Sequence, residues 1–202
     1  MRRASGVPGE SQWYRAIGVS YLPSALQTAH TKGSSSRFNP GPLLAPADQF
    51  EILYLAGDPV TALFEFQAVF GDPASPIPNP RLAAIVLNVQ VILHAIYDLT
   101  DVANAQVPLD VTAQELTGDW RGYQTRGPHR PIPLPVGQAP TQELGRHIFL
   151  SGIEGFLSPS AKIATNQNLV IFPENLRPGS RLTYADSNGR IVHHVPWPAR
   201  TQ

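Results

Sequence analysis

Four polar side chains in apolar or loop surroundings are the residues of this 202-residue sequence best suited to chemistry. Arg37 lies in a Ser/Gly loop, Tyr54 in an apolar run, Glu65 eleven residues later and Ser160 just after Ser158-Pro159. An arginine can hold an anion through paired hydrogen bonds, a carboxylate can stabilise a developing cation, and a tyrosine ring can stack on a ligand. Each also has an ordinary structural interpretation, as a surface ion pair, a core ring, a solvated helix edge or a turn residue. Residue types and spacing therefore identify these four residues as candidates but do not assign a function.

Several classes of enzyme are disfavoured by motifs that the sequence lacks. It contains no G-x-G-x-x-G after a strand, no P-loop, no H-E-x-x-H and no G-x-S-x-G. The absence of cysteine excludes a thiolate nucleophile, a disulfide framework and Cys-ligated zinc. Only His193 and His194 are adjacent among the six histidines, and neighbours on a strand point to opposite faces. We therefore expect no bound metal.

The charge balance disfavours direct contact with nucleic acid or membrane. Fifteen Lys and Arg residues balance fifteen Asp and Glu residues, which leaves no net field to attract a polyanion. The basic start of the chain is not followed by an apolar signal segment, and no apolar run is long enough to span a bilayer. These features predict a soluble, cytoplasmic protein.

Short β-leaning runs bounded by glycine, proline or polar residues predict about six strands. The tail forms a predicted hairpin, because Asn188-Gly189 is a strong turn signal between two strand-forming runs. The predicted strands are 12–17, 52–56, 82–93, 155–157, 168–172 and the two arms of the hairpin, 181–184 and 190–195.

Three or four helices complete the prediction. Asp58 and Pro59 provide an N-cap and a first helical residue, and the apolar spacing continues to about Phe70, with Gly71 as the stop. Residues 71–80 contain four prolines and are predicted to be a loop, as is the proline-rich segment 127–140. Helices are also predicted near 112–116 and over 141–150. The helices are too few for a doubly wound sheet, so the pattern predicts a single mixed α/β (α+β) domain over 1–202.

Eight blocks along the chain resemble one known family, in the family's order. They begin with Tyr14–Ala16 and Gly33–Pro40 (GSSSRFNP) and continue through Leu53–Ala56 (LYLA) and Ala62–Glu65 (ALFE). The later blocks are 118–120 (GDW), 142–145 (QELG), 155–161 (GFLSPSA) and 168–172 (NLVIF). The family is the RES domain, named for its Arg, Glu and Ser, and the similarity covers about residues 12–175.

The resemblance implies a fold related to ADP-ribosyltransferase toxins, with a small mixed sheet and flanking helices. It implies a toxin that degrades NAD+ by hydrolysis or phosphorolysis of the nicotinamide–ribose bond. NAD+ is then the substrate, with inorganic phosphate as a candidate co-substrate, and no cofactor is required. The expected partner is an antitoxin with a helix-turn-helix domain. An ADP-ribosyltransferase acting on a protein, a non-catalytic binding module and a homodimer all remain open.

The resemblance also assigns roles to particular residues. Glu65 is expected to stabilise the cationic transition state, with Arg37 and Ser160 completing the catalytic set. The expected substrate contacts are Arg15, Ser36, Asn39 and Tyr54. Arginines fit the diphosphate, the tyrosine ring fits nicotinamide, and Ser160 is expected to bind a ribose hydroxyl or the nicotinamide amide without acting as a nucleophile.

The sequence departs from the family pattern at three places. Ser35-Ser36 precede the arginine where members usually have Gly-Gly, and residues 40–51 carry a proline-containing insertion. Ala68 stands where many members have a histidine one turn after the glutamate.

Overall fold

The computed structural model describes residues 3–5, 10–100, 108–124, 137–185, 188 and 191–196. Eleven strands and four α-helices form in these ranges. The strands are β1 (Arg3–Ser5), β2 (Ser11–Gly18), β3 (Leu53–Ala56), β4 (Val69–Asp72), β5 (Ser75–Pro78), β6 (Ala84–Ile92), β7 (Ala95–Asp98), β8 (Gly155–Pro159), β9 (Gln167–Ile171), β10 (Arg181–Ala185) and β11 (Ile191–Pro196). The helices are α1 (Pro59–Glu65), α2 (Ala113–Thr117), α3 (Arg121–Gln124) and α4 (Pro140–Leu150).

Nine of these strands form one mixed sheet in the order β1-β7-β8-β9-β3-β2-β6-β10-β11. The pair β7–β8 is parallel and the other pairs are antiparallel. Strands distant in sequence meet at the centre, where β3 lies between β2 and β9. The mixed sheet with few helices confirms the predicted fold class, and the described residues form more strands than the sequence predicted.

The core packs against both faces of this sheet. Alternation along β3 and β9 sends Leu53, Leu55, Leu169 and Ile171 into one cluster and Val170 into another. The second cluster is rich in phenylalanine and includes Leu144 and Ile148, which lie on the buried face of α4. Because residues two apart on a strand share a face, Tyr54 lies on the same face as Ala56, which packs with Ala62 of α1.

The helix α1 begins as predicted and ends earlier than predicted. Asp58 caps it, because its Oδ1 accepts a hydrogen bond from the Thr61 amide at 2.9 Å. The predicted end at Phe70 is wrong: the helix stops at Glu65, and Gln67 has a φ of 62°. A positive φ reverses the chain direction, so the apolar residues after Phe66 leave the helix axis.

The proline-rich segment that follows is not the loop predicted for 71–80. Strands β4 and β5 pair as an antiparallel hairpin, with Val69 opposite Pro78 and Phe70 opposite Ile77. Prolines are tolerated there because a two-stranded ribbon has edges whose N–H groups need no partner.

The remaining predictions have mixed outcomes. The strands of the C-terminal hairpin are confirmed as β10 and β11, whereas most of the predicted turn between them and most of the segment 127–140 fall outside the described residues. The sequence did not predict β1 and β7. Within the described residues, no helix has the length and apolar character needed to cross a membrane.

Candidate active site

The loop that carries Arg37 is folded by its own polar groups. Ser36 and Asn39 exchange backbone hydrogen bonds at 2.9 and 3.3 Å, which closes a tight turn around Arg37. The Asn39 side chain is fully buried: its Nδ2 donates to the Thr31 carbonyl at 2.8 Å and its Oδ1 accepts from the Gly41 amide at 3.0 Å. The prediction that Asn39 contacts substrate is therefore corrected, because its amide is occupied by the backbone and holds the loop in place.

Helix α4 packs closely against the same loop and is hydrogen-bonded to it. Gln142 Nε2 donates to the carbonyls of Ser36 at 3.0 Å and Asn39 at 3.3 Å. Gly145 lies so close that a Cβ at this position would stand 2.0 Å from the Phe38 carbonyl oxygen. The helix and the loop can pack at this distance only because residue 145 has no side chain.

Arg37 is held by main-chain oxygens at the C-terminal end of α2. Its Nη1 donates to the Leu116 carbonyl at 3.1 Å and to the Gly118 carbonyl at 2.6 Å. Burial lowers the pKa of Arg37 from its ordinary value, and the nearby Glu65 carboxylate opposes that change. The guanidinium is thus fixed in direction and remains a cation near neutral pH.

Tyr54 offers its ring to a ligand more readily than its hydroxyl. The hydroxyl is hydrogen-bonded to Ser36 Oγ at 2.8 Å and accepts from the Phe38 amide at 3.1 Å. Burial raises the pKa of Tyr54 to about 12, so the phenol is neutral at physiological pH. The Ser36 hydroxyl is therefore engaged in its hydrogen bond with Tyr54.

Glu65 is held by one edge of its carboxylate. Oε1 accepts a hydrogen bond from Ser160 Oγ at 2.7 Å and another from Asn168 Nδ2 at 2.8 Å. Oε2 receives no hydrogen bond from the described residues. One oxygen is therefore fixed while the other remains available to a ligand.

Ser160 supports Glu65 and has little capacity left for a ligand. It is 1% exposed, donates to Glu65 and accepts from the amides of Lys162 at 3.1 Å and Ile163 at 3.2 Å. The expected direct bond from Ser160 to a ribose or an amide is corrected on this geometry, because its proton and both lone pairs are used.

Arg15 is a cation without a counter-charge among the described residues. Within that part of the chain its buried Nη1 makes no hydrogen bond and its guanidinium forms no ion pair. Burial lowers the pKa of Arg15 to about 10, which still leaves it charged at neutral pH. A buried cation without a counter-charge is costly, and an anionic ligand would offset that cost.

Two cavities meet at Glu65. The Arg15 cavity, of about 260 Å³, is lined by Tyr14, Arg15 and Phe66 among others. The Arg37 cavity, of about 180 Å³, is lined by Ser36, Arg37 and Gln67 among others. The two share three lining residues, which are Tyr54, Glu65 and Asn168. The structure thus brings Arg15, Ser36, Arg37, Tyr54 and Glu65 to one place.

Asn168 is the residue that the sequence interpretation missed. It lies in the NLVIF block, opposite Ala56 in the β3–β9 register, and lines both cavities. Its Nδ2 must face Glu65, because two acceptor oxygens would repel each other, and its Oδ1 is buried without a partner. The sequence signal that could have identified Asn168 is its position in that block, directly before the buried residues of β9.

No set of three His, Asp or Glu side chains suited to a metal ion occurs among the described residues. The charged side chains that line the two cavities are one carboxylate, Glu65, and four cations, Arg15, Arg37, Arg121 and Lys162, and they are accompanied by several aromatic rings and neutral amides.

Comparisons with known proteins bear on the fold and the family. A chain of the crystal structure of the M. tuberculosis MbcT-MbcA toxin-antitoxin complex is similar over 90% of this chain and 84% of that one, with a TM-score of 0.60 and 23% identity. This likeness shows a shared fold. No curated protein matches the sequence significantly. The model of the RES domain matches residues 12–194, so the chain belongs to the RES-domain family.

Proposed function

We propose that this protein is a toxin that degrades NAD+ by breaking the bond between nicotinamide and ribose. The observation that carries the proposal is Glu65, whose Oε1 is fixed by Ser160 and Asn168 while its Oε2 accepts nothing from the described residues. A carboxylate placed in this way can act on a cation that develops beside it. The arginines of the two adjoining cavities match a substrate that carries phosphates.

In the proposed reaction, the bond between ribose C1′ and the pyridinium nitrogen breaks and its electron pair neutralises the nitrogen. Positive charge builds on the ribose, so attraction to Glu65 is greater in the transition state than in the ground state. Water or inorganic phosphate then forms the new bond to C1′, and the products are nicotinamide with ADP-ribose or its 1-phosphate. Glu65 also lies where it can orient the acceptor.

The other residues have binding roles in this proposal. Arg15 has no counter-charge in the described part of the chain, and the diphosphate of NAD+ would supply one. Arg37 is pinned by the Leu116 and Gly118 carbonyls and directs its remaining N–H groups from a fixed position. The Tyr54 ring, shared by both cavities, provides a surface for the nicotinamide ring.

The partner we propose is an antitoxin with a helix-turn-helix domain that blocks this site in the cytoplasm. The M. tuberculosis relative crystallised in a toxin-antitoxin complex, and a chain that consumes NAD+ must be inhibited in its own cell. The neutral net charge favours DNA contact through that partner rather than through this chain.

The test is incubation of the purified protein with NAD+ and no protein acceptor, with nicotinamide release followed with and without inorganic phosphate. We expect release in at least one condition, and its dependence on phosphate identifies the acceptor. Absence of release in both, together with labelling of a protein by the ADP-ribosyl group, would favour the ADP-ribosyltransferase alternative. Absence of both activities would favour the third alternative, a non-catalytic binding module.

A further inference from the structure

The chain leaves α1 through a residue type that is unusual for the conformation it adopts. After the C-cap Phe66, Gln67 takes a φ of 62° and the Ala68 amide donates back to the Leu63 carbonyl at 2.9 Å. This is the left-handed termination that usually selects glycine, because a Cβ is strained there. Glycine at position 67 would give the same chain reversal with less strain.

Hydrogen bonds among the described residues give no structural reason for a glutamine at position 67. Asn79 Nδ2 donates to the Gln67 main-chain oxygen at 3.0 Å, a bond that any residue could accept. The Gln67 carboxamide has no hydrogen-bond partner among the described residues. Its notable property is position: it lines the Arg37 cavity together with Arg37 and Glu65. Strained residues of this kind cluster where a side chain must be delivered to a ligand.

We propose that the Gln67 carboxamide binds the ligand in the Arg37 cavity and contributes to its selection. A neutral amide recognises a group that both donates and accepts hydrogen bonds. This inference rests on the proposed function, under which the group is either the carboxamide of nicotinamide or a ribose hydroxyl of NAD+.

The experiment compares Gln67→Gly with the wild type for thermal stability, NAD+ affinity by calorimetry and nicotinamide release. We expect stability to hold or rise, while affinity and kcat/KM fall about threefold to tenfold, the worth of one neutral hydrogen bond. A purely structural role predicts that activity follows stability. Gln67→Ala removes the same amide and keeps the strain, so we expect the same kinetic loss with lower stability than the glycine variant.

The matched control is Leu109→Gly. Leu109 also has a positive φ, 64°, and an exposed side chain, and it lies outside both cavities. We expect the stability change without the kinetic loss.

The substrate group is identified with a dinucleotide that carries unsubstituted pyridine in place of nicotinamide and therefore lacks the whole carboxamide. The glycine penalty disappears with this analogue if Gln67 binds the carboxamide, and persists if it binds a ribose hydroxyl. If the wild type cleaves NAD+ and Gln67→Gly binds and cleaves it equally well, the inference is overturned alone. If the wild type binds NAD+ without cleaving it and the glycine variant binds more weakly, the inference stands and the proposed function fails. If the wild type does neither, both fail.

Discussion

Two glutamates in this molecule show how surroundings decide what a carboxylate does. Glu154, at the start of β8, is fully buried and both of its oxygens are saturated. Oε2 accepts from the amides of His94 and Ala95, each at 2.7 Å, and Oε1 accepts from the Arg177 amide at 2.8 Å and from the Ser180 hydroxyl. This carboxylate joins three chain segments and has no capacity left for a ligand.

Glu65 has the opposite distribution. Two donors, Ser160 and Asn168, meet on Oε1, and Oε2 accepts nothing from the described residues. A carboxylate whose two oxygens both accept hydrogen bonds stabilises the fold. A carboxylate held through one oxygen is oriented, and its other oxygen can still interact with a ligand. The same substitution at the two positions therefore has different consequences.

The largest effect is expected from Glu154→Gln, and it should fall on stability. The new NH2 group faces two donors that have lost their acceptor, so the free energy of unfolding should drop by about 3–5 kcal/mol. Urea denaturation measures this change, with Glu143→Gln on the exposed side of α4 as the control. Nicotinamide release per folded molecule should be unchanged. Normal stability in the Glu154→Gln protein would remove the structural half of the comparison.

The second prediction concerns Glu65→Gln, which should leave stability nearly unchanged and lower kcat. Loss of one well-placed electrostatic group costs about 3–4 kcal/mol, or about a hundred- to a thousandfold in rate. KM should change little, because the lost attraction develops mainly in the transition state. The measurement is nicotinamide release at saturating NAD+. A rate within a few-fold of the wild type would falsify the assignment of Glu65 to the chemical step.

The third prediction tests the support of Glu65. Asn168→Ala removes one of the two donors on Oε1, so kcat should fall about tenfold to a hundredfold, the worth of a hydrogen bond to a charged group. Asn166→Ala is the matched control, since Asn166 Nδ2 donates to Asp58 at 2.8 Å and to Thr61 at 2.7 Å near the start of α1. It should lower stability and leave kcat per folded molecule intact. Equal kinetic behaviour of the two variants would contradict a positioning role for Asn168.

The smallest effect extends the comparison to the arginines. Arg37 is bound by two carbonyls, whereas Arg15 has no partner among the described residues. Arg15→Met keeps most of the side-chain volume and removes a desolvated charge, so the melting temperature should hold or rise. NAD+ affinity should weaken about tenfold, because the diphosphate loses a charged partner. Calorimetric titration and thermal denaturation measure the two effects, and an unchanged affinity would place the diphosphate elsewhere.

Local signals in the sequence identified the frame of the fold. Short β-leaning runs bounded by glycine, proline or polar residues predicted β2, β3, β6 and β9, and Asp58-Pro59 predicted the start of α1. The end of α1 was missed because an unfavoured residue, Gln67, ends it. The strand β7 was missed because its four residues gain their stability from β1 and β8, which are distant in sequence.

The site residues also divide into those that the sequence identified and those whose roles depend on contacts between distant segments. Arg37, Tyr54 and Glu65 stood out by type and setting, and the structure brings them together. Asn39 and Ser160 looked like ligand contacts because a sequence does not show how many hydrogen bonds each already makes. Asn168 and Glu154 were missed for the same reason, since their partners lie 103 and up to 60 residues away.

The strand order has a consequence for how the protein is synthesised. The cavity wall needs Tyr54 from β3 and Asn168 from β9, yet β9 can enter the sheet beside β3 only after the residues between these two strands have been made. A ribosome-bound fragment that ends before residue 160 contains Glu65, Arg15 and Arg37 but lacks Ser160 and Asn168, the two groups that fix the carboxylate. Under the proposed function, the growing chain therefore has no complete site until Asn168 has left the ribosome and β9 has paired with β3.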